Sequence, residues 1–254
     1  MNTLKLFGSP IGTNFKKRKK TVSISVDSLE HDSTADIRVF IQVEPPSVKN
    51  LLDSIVQNQD QFDLILAWHP QVLENCSNSK KFIFGTCWID LQTFENNKQN
   101  QISFLTSNKN WTEGHKLRQS IYEYLNTEED INGFTIKTIR TPPRIDCKSE
   151  VFKNAKFSII VENESLPNWI TEKLIDCFST KTIPIYWGCS NIDKYFDSTG
   201  IIQFGSIDEL SNILNELTPQ QYEDLLPVIE KNYKSSLQYH DLLGRIDKEI
   251  DLIL

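Results

Sequence analysis

Short apolar runs bounded by polar turns recur along most of this chain, and helical periodicities fill the spaces between them. The runs at 4–7, 21–26, 37–43, 64–68, 81–84, 101–106, 157–161, 183–187 and 201–204 predict strands. Several, such as Phe157-Ser158-Ile159-Ile160-Val161, lack strict alternation, as expected of strands covered on both faces. Helices are predicted over 48–58, 113–125, 171–179, 191–195, 207–216 and 219–235. In the third of these, Ile170, Leu174, Cys177 and Phe178 share the face that would pack on a sheet. Alternation of strand and helix predicts an α/β fold with parallel sheets in a Rossmann-like arrangement. The polar segment 90–100, DLQTFENNKQN, interrupts it and marks a boundary. Two Rossmann-like domains are therefore expected, one over 1–95 and one over 96–254 that includes the C-terminal helices. Facing across a cleft, they would bind ligands outside the C-terminal ends of their strands.

Composition narrows this picture. With 254 residues, 39% of them hydrophobic, the chain can bury a large core. A net charge of −7 argues against a dedicated nucleic-acid binder. The basic run Lys16-Lys17-Arg18-Lys19-Lys20 reads as a solvated loop, or as a localisation signal or a patch for an anionic partner. There is no signal-peptide pattern and no apolar window long enough to span a membrane. The five cysteines, Cys76, Cys87, Cys147, Cys177 and Cys189, are widely spaced and form no metal or disulfide framework. A soluble cytoplasmic protein is expected.

Candidate chemistry gathers at strand ends. The run 157–161 exits through Glu162-Asn163 into a polar loop, and a helix opens on Thr171-Glu172-Lys173. Free N–H groups at a helix start, with a lysine beside them, suit an anion such as a diphosphate. Glu172 and Lys173 are equally ordinary charges of a helix surface. The run 183–187 ends in Tyr186-Trp187-Gly188, an aromatic pair for a base or sugar, or for core packing. Arg118, on the helix after Ser107-Asn108, is either a phosphate clamp or a surface arginine. Glu44, set by Pro45-Pro46 at the end of 37–43, is either a general base or a plain turn residue. Glycine-rich phosphate loops are absent, as is any Asp-x-Asp pair that would carry a diphosphate-bridging metal. A bound diphosphate would then be neutralised by Lys173, Arg118 and a helix N-terminus without metal.

Three segments in this order, KFSIIVEN at 156–163, WITEKL at 169–174 and TIPIYWG at 182–188, closely resemble the signature of the α1,3/α1,4-fucosyltransferases, glycosyltransferase family ten. The likeness is strongest over 156–200. Upstream, Ser107-Asn108 and Arg118 resemble the family's Ser-Asn turn and phosphate-binding arginine, and Glu44 resembles its proposed base. Trp169 stands where the family commonly has tyrosine.

The resemblance implies a GT-B fold, GDP-fucose as donor, a glycan acceptor, inversion at the anomeric carbon and no cofactor or metal. By the same resemblance Lys173 and Arg118 would hold the diphosphate, Glu172 the ribose or fucose hydroxyls, and Ser107, Asn108, Asn163, Trp169 and Tyr186 further parts of the donor. Glu44 would deprotonate the acceptor. Lacking the membrane anchor of animal members, the chain is expected to be a soluble microbial or viral form. Alternatives are another nucleotide-sugar donor, or a catalytically silent nucleotide-sugar or glycan-binding module.

Overall fold

The computed structural model describes residues 4–8, 11–141 and 148–254, so Cys147 lies outside the described residues. The chain forms two compact units, 1–84 with 167–169 and 241–254, and 85–166 with 170–240. The division falls ahead of the polar segment 90–100. The last helix, expected in the second domain, belongs to the first unit.

In the first unit, β1 (Leu4–Gly8), β2 (Val22–Val26), β3 (Ile37–Ile41), α1 (Leu52–Gln57), β4 (Leu64–Ala67), α2 (Pro70–Asn75) and β5 (Ser79–Lys81) follow in chain order. The five strands are parallel and lie side by side in that same order. Val22, Ile24 and Val26 alternate with Ser23 and Ser25, and both sets are buried. The valines and isoleucine pack with Phe82 and with Ile246 and Ile250. On the other face, Ser25 Oγ donates to Glu30 O at 2.6 Å and Ser23 Oγ accepts from Asp32 N at 3.0 Å, so the loop after β2 satisfies them. Phe40, Ile65 and Ala67 pack with Ile55 of α1 and Val72 of α2.

The basic run lies in a loop before β2, with Lys16, Lys17, Lys19 and Lys20 exposed, and Arg18 ties it to the C-terminal helix. Arg18, whose side chain is 7% exposed, pairs with Asp247 at 2.5 Å and Asp251 at 2.9 Å, and Lys16 pairs with Asp251 at 2.7 Å. These aspartates belong to the C-terminal helix 242–251, which Asp241 caps by accepting Gly244 N at 2.8 Å.

In the second unit the chain runs β6 (Gln99–Ser107), α3 (Glu113–Leu125), β7 (Asp130–Ile131), β8 (Phe134–Thr141), α4 (Ser149–Phe152), β9 (Ala155–Val161), α5 (Glu172–Ser179), β10 (Ile183–Trp187), β11 (Ile202–Gln203), α6 (Ile207–Glu216), α7 (Pro219–Asp224) and α8 (Leu226–Ser236). The sheet order is β11-β10-β9-β6-β8-β7, parallel except for the β7–β8 hairpin. Ile102, Phe104, Phe157, Ile159, Ile183 and Ile185 form its core with Ile121 and Leu125 of α3 and Leu210 and Leu214 of α6. On α5, Leu174, Cys177 and Phe178 are buried as the periodicity predicts, and burying a side chain such as leucine or phenylalanine stabilises by ~1.5–3 kcal/mol.

Several elements differ from expectation for local reasons. The helix expected over 219–235 breaks at Leu225, because Pro227 can occupy only the first turn of a new helix, α8. β8 went unanticipated because its Lys137 and Arg140 disguise a half-buried strand. The strand expected at 81–84 is the short β5. Among the described residues no helix is long and apolar enough to cross a membrane.

Candidate active site

The second sheet contains a reversal of direction. From β6 the chain crosses to β8 on one side, then returns to β9 on the other side of β6 and continues outward through β10 to β11. Where successive crossovers diverge, the connections leave a crevice at the C-terminal strand ends. That point lies between β6 and β9, and it is lined by Ser107, the start of α3, Glu162-Asn163 and the start of α5. The first sheet, in simple sequential order, has no such reversal.

The approach of α3 to the end of β9 is unusually close. Gly114 N donates to Asn163 O at 3.0 Å, and a Cβ at Gly114 would fall 1.7 Å from Glu162 O. Thr112 caps α3 by accepting His115 N at 3.1 Å, while His115 Nδ1 accepts Thr112 N at 3.3 Å. His115 is buried, and burial together with Arg118, Lys109 and Lys173 lowers its pKa to about 4. One turn on, Arg118 is 7% exposed and donates through Nη1 to Val161 O and Glu162 O, and through Nη2 to Asn163 Oδ1 at 3.0 Å. Burial lowers its pKa to about 10, opposed by Glu162 and Glu172, so it stays charged at neutral pH. Protein acceptors thus occupy much of the fork expected for a phosphate clamp. Arg118 fixes Asn163 and the strand exit, and supplies positive charge from within.

Glu162 was not among the expected site residues, yet it organises the cluster. Fully buried, it accepts Thr171 N at 3.1 Å and Thr171 Oγ1 at 2.7 Å, and pairs with Lys173 Nζ at 3.3 Å. Thr171 in turn caps α5 by accepting Lys173 N at 3.3 Å. Lys173 Nζ also lies 3.4 Å from Glu172 Oε1, with its side chain 28% exposed. Burial opposes the charge on Lys173, but Glu172 and Glu162 outweigh it and raise its pKa. Burial likewise acts to raise Glu172, but Lys173 and Lys148 overcome it and bring its pKa down to about 2. Lys173 and Glu172 are therefore both ionised at neutral pH, at the N-terminus of a helix.

The remaining expected residues divide. Ser107 ends β6 beside Thr141 of β8 and Asn108 follows it, with Asn108 Oδ1 accepting Arg140 Nε at 2.6 Å and Ser107 O accepting Gln119 Nε2 at 2.6 Å. Tyr186 is buried beneath the site, and its hydroxyl accepts Cys189 N at 2.9 Å. It holds the turn after β10, where a Cβ on Gly188 would meet Tyr186 Oη at 2.5 Å and Glu162 Cγ at 2.6 Å. Trp187 packs in the core.

Glu44 and Trp169 belong to the first unit. Trp169 is 4% exposed and packs against Trp68 at a 45° tilt, with ring centroids 4.6 Å apart. Glu44 is half-buried beyond the C-terminal end of β3. Its N–H donates to Asp27 Oδ2 at 2.9 Å, and the Val43 N–H donates to Asp27 Oδ1 at 2.8 Å. Asp27, at φ +48°, is therefore the residue that sets the Glu44 turn. Among the described residues no three His, Cys, Asp or Glu side chains converge to hold a metal ion.

The family model for the C-terminal domain of glycosyltransferase family 10 (fucosyltransferase) matches residues 95–226, a span that contains every second-unit residue of this cluster. The alpha-(1,3)-fucosyltransferase FucT of Helicobacter pylori is 29% identical over 134 residues, 51% of this chain and 27% of that protein. An alpha-(1,4)-fucosyltransferase of Arabidopsis thaliana is 32% identical over 65 residues, 24% of this chain and 16% of the relative. The matches thus span less than a third of these relatives' own lengths. Among solved structures, an alpha1,3-fucosyltransferase superposes with a TM-score of 0.53 at 18% identity, covering 87% of this chain and 79% of the other. A structure of alpha1,3-fucosyltransferase with GDP gives 0.50, also at 18% identity, over 86% and 79% of the two chains. The shared fold is of the GT-B type, with two Rossmann-like units.

Proposed function

This chain belongs to glycosyltransferase family 10, and on that premise we propose that it transfers fucose from GDP-fucose to a hydroxyl of a glycan acceptor, inverting the anomeric carbon. The observation that carries the reading is the charge cluster at the reversal of the second sheet. Lys173, its side chain 28% exposed, stands in the first turn of a helix, backed by the buried guanidinium of Arg118. Such an arrangement favours a diphosphate, and it favours a departing diphosphate still more as charge develops on the leaving oxygen.

In this reading Lys173 contacts the diphosphate, and Arg118 strengthens the field while holding Asn163 in place. Glu172 accepts hydroxyls of the ribose or the sugar, and Asn163 and the Ser107-Asn108 turn border the donor. Glu44 takes the proton from the attacking acceptor hydroxyl, in the turn that Asp27 fixes. The fixed cations supply the neutralisation, so we expect turnover without a divalent metal. Free thiols at Cys76, Cys87 and Cys177 fit a reducing, cytoplasmic setting. GDP bound to a solved structure of similar fold supports the nucleotide assignment.

The test is calorimetric titration with GDP and UDP, followed by hydrolysis and transfer assays on a panel of nucleotide sugars with and without EDTA. The expected outcome is GDP binding, preferential turnover of GDP-fucose and insensitivity to EDTA. Preferential turnover of another nucleotide sugar would replace the donor. GDP binding with no turnover of any donor, on a broad acceptor panel, would establish a silent binding module instead.

A further inference from the structure

Lys148 stands just before α4, and its ammonium serves three neighbours. It lies 2.7 Å from Asp176 Oδ2, 3.5 Å from Glu172 Oε1 and 4.6 Å from the centroid of the Trp88 ring. The Lys148 side chain is only 10% exposed and that of Asp176 not at all. Glu172 and Asp176 sit four residues apart on α5, so one helix face presents both carboxylates to this cation. Asp176 Oδ1 also accepts the N–H of Trp88 at 2.7 Å, which anchors a tryptophan that is 64% exposed.

Packing alone does not call for this arrangement. Burying an ammonium against a carboxylate usually stabilises no more than an apolar pair of the same shape. A neutral asparagine at 176 would accept the Trp88 N–H at a smaller desolvation cost. What the ion pair provides is a positive charge fixed beside Glu172. The Glu172 carboxylate is held between two ammonium groups, Lys148 at 3.5 Å and Lys173 at 3.4 Å. Without Lys148, Glu172 would close fully onto Lys173 and neutralise the cation that a diphosphate needs.

We propose that Lys148 is a positioning residue of the nucleotide-sugar site: it draws Glu172 away from Lys173, fixing the carboxylate for hydroxyl recognition and leaving the Lys173 charge available to the diphosphate. The inference rests on the reading above, in which Glu172 and Lys173 contact the donor. Asp176 holds Lys148 in place, and Trp88 covers its ammonium.

The test is a mutant cycle on the full chain, because Lys148→Met alone would strand a buried carboxylate. Lys148→Met/Asp176→Asn removes the ion pair together; Glu172→Gln and the triple variant complete the cycle, with melting temperatures confirming that each is folded. The pair variant is expected to raise the KM for GDP-fucose and the Kd for GDP by roughly tenfold, with kcat within about twofold of wild type. In the Glu172→Gln background the same pair substitution is expected to add less than about twofold, because its effect passes through that carboxylate. Lys148→Arg should restore most of the donor affinity. Wild-type KM in a folded pair variant, alongside an impaired Glu172→Gln, would overturn the proposal and leave the donor site standing. Additive losses in the triple variant would overturn it too, since Lys148 would then act independently of Glu172. Wild-type GDP affinity together with a wild-type KM for GDP-fucose in Glu172→Gln would remove the donor-site reading itself, and the role of Lys148 with it.

Discussion

Glu162→Gln isolates the charge that holds the site together while keeping the side chain's shape. The native carboxylate is fully buried, accepts two hydrogen bonds from Thr171 and lies 3.3 Å from Lys173 Nζ. At that distance, with an effective dielectric constant near 20, the gross attraction is about 5 kcal/mol. Deleting one partner of a buried pair typically costs ~3–5 kcal/mol. Here the cost falls towards ~2 kcal/mol, because Lys173 is 28% exposed and keeps Glu172 at 3.4 Å. The amide oxygen still accepts Thr171 N, but losing charge assistance in the Thr171 bonds adds about 1 kcal/mol. The sum is about 3 kcal/mol, and at ~2–4 °C per kcal/mol for a chain of this size the melting temperature should fall by ~6–12 °C.

The assay is thermal unfolding by circular dichroism at pH 7, with the exposed Glu216→Gln as control. GDP titration of the folded variant is the second readout. Lys173, released from Glu162, should pair more closely with Glu172, so GDP affinity should drop by roughly tenfold. A melting temperature within about 2 °C of wild type, with GDP affinity intact, would refute the assignment of Glu162 as organiser of the cluster.

Three other perturbations separate the remaining parts. The pKa of His115, about 4 in the folded chain, lies below its ordinary value of 6.5. The unfolded chain therefore binds a proton that the native state refuses, and the His115 contribution is complete above pH 6.5 and is lost as pH falls towards 4. Urea unfolding should show up to about 3 kcal/mol of loss across that window, and His115→Asn should flatten the profile. Asp27→Asn leaves one acceptor for the two N–H groups of Val43 and Glu44; it should cost ~1–2 kcal/mol and lower kcat with GDP affinity intact. Equal loss of GDP affinity would contradict its role in setting the Glu44 turn. Arg18→Gln should speed hydrogen exchange in 242–251, because it removes the ion pairs from a largely covered Arg18 to Asp247 and Asp251. Unchanged exchange would show that the apolar face carrying Ile246 and Ile250 holds the helix unaided.

What the sequence revealed followed from how local each signal is. The helix expected over 113–125 and that over 207–216 appear with those bounds, because Thr112 and Ser206 cap them and their apolar periodicity is strong. The core face of α5 was legible for the same reason. Glu162 was visible as a charge at a strand end, but its organising role depends on Thr171 and Lys173 folding back onto it across nine and eleven residues. Lys148 and Arg140 reach the site from 24 residues before Glu172 and 32 residues after Asn108, and no periodicity reports such contacts. The anchoring of the basic run through Lys16 and Arg18 was not legible because their acidic partners lie more than 200 residues away, on a helix whose Gly244 and many charges mask its apolar stripe. The structural part played by Tyr186 was hidden for a different reason: its phenol accepts Cys189 N in a turn that no local pattern reports.

The order of charges across the sheet's C-terminal edge bears on why such a cluster exists. Lys148, Glu172, Lys173 and Glu162 alternate in sign with neighbours at 3.3–3.5 Å, and Arg118 completes the run through the Glu162 and Asn163 oxygens. A fold selected for stability alone would gain by replacing such buried pairs with apolar side chains. Alternation nevertheless allows each charge to be held without being fully neutralised, because every interior member shares its partner with another. A site that must accept an anion and later release it needs cations fixed in place before the ligand arrives, so that little reorganisation opposes the charge that develops. Glu162 and Lys148 bracket the Glu172-Lys173 pair from opposite sides, and removing either one lets that pair collapse upon itself. That shared consequence makes the ladder a single functional unit, and it predicts that substitutions at Glu162 and Lys148 lower donor affinity less than additively.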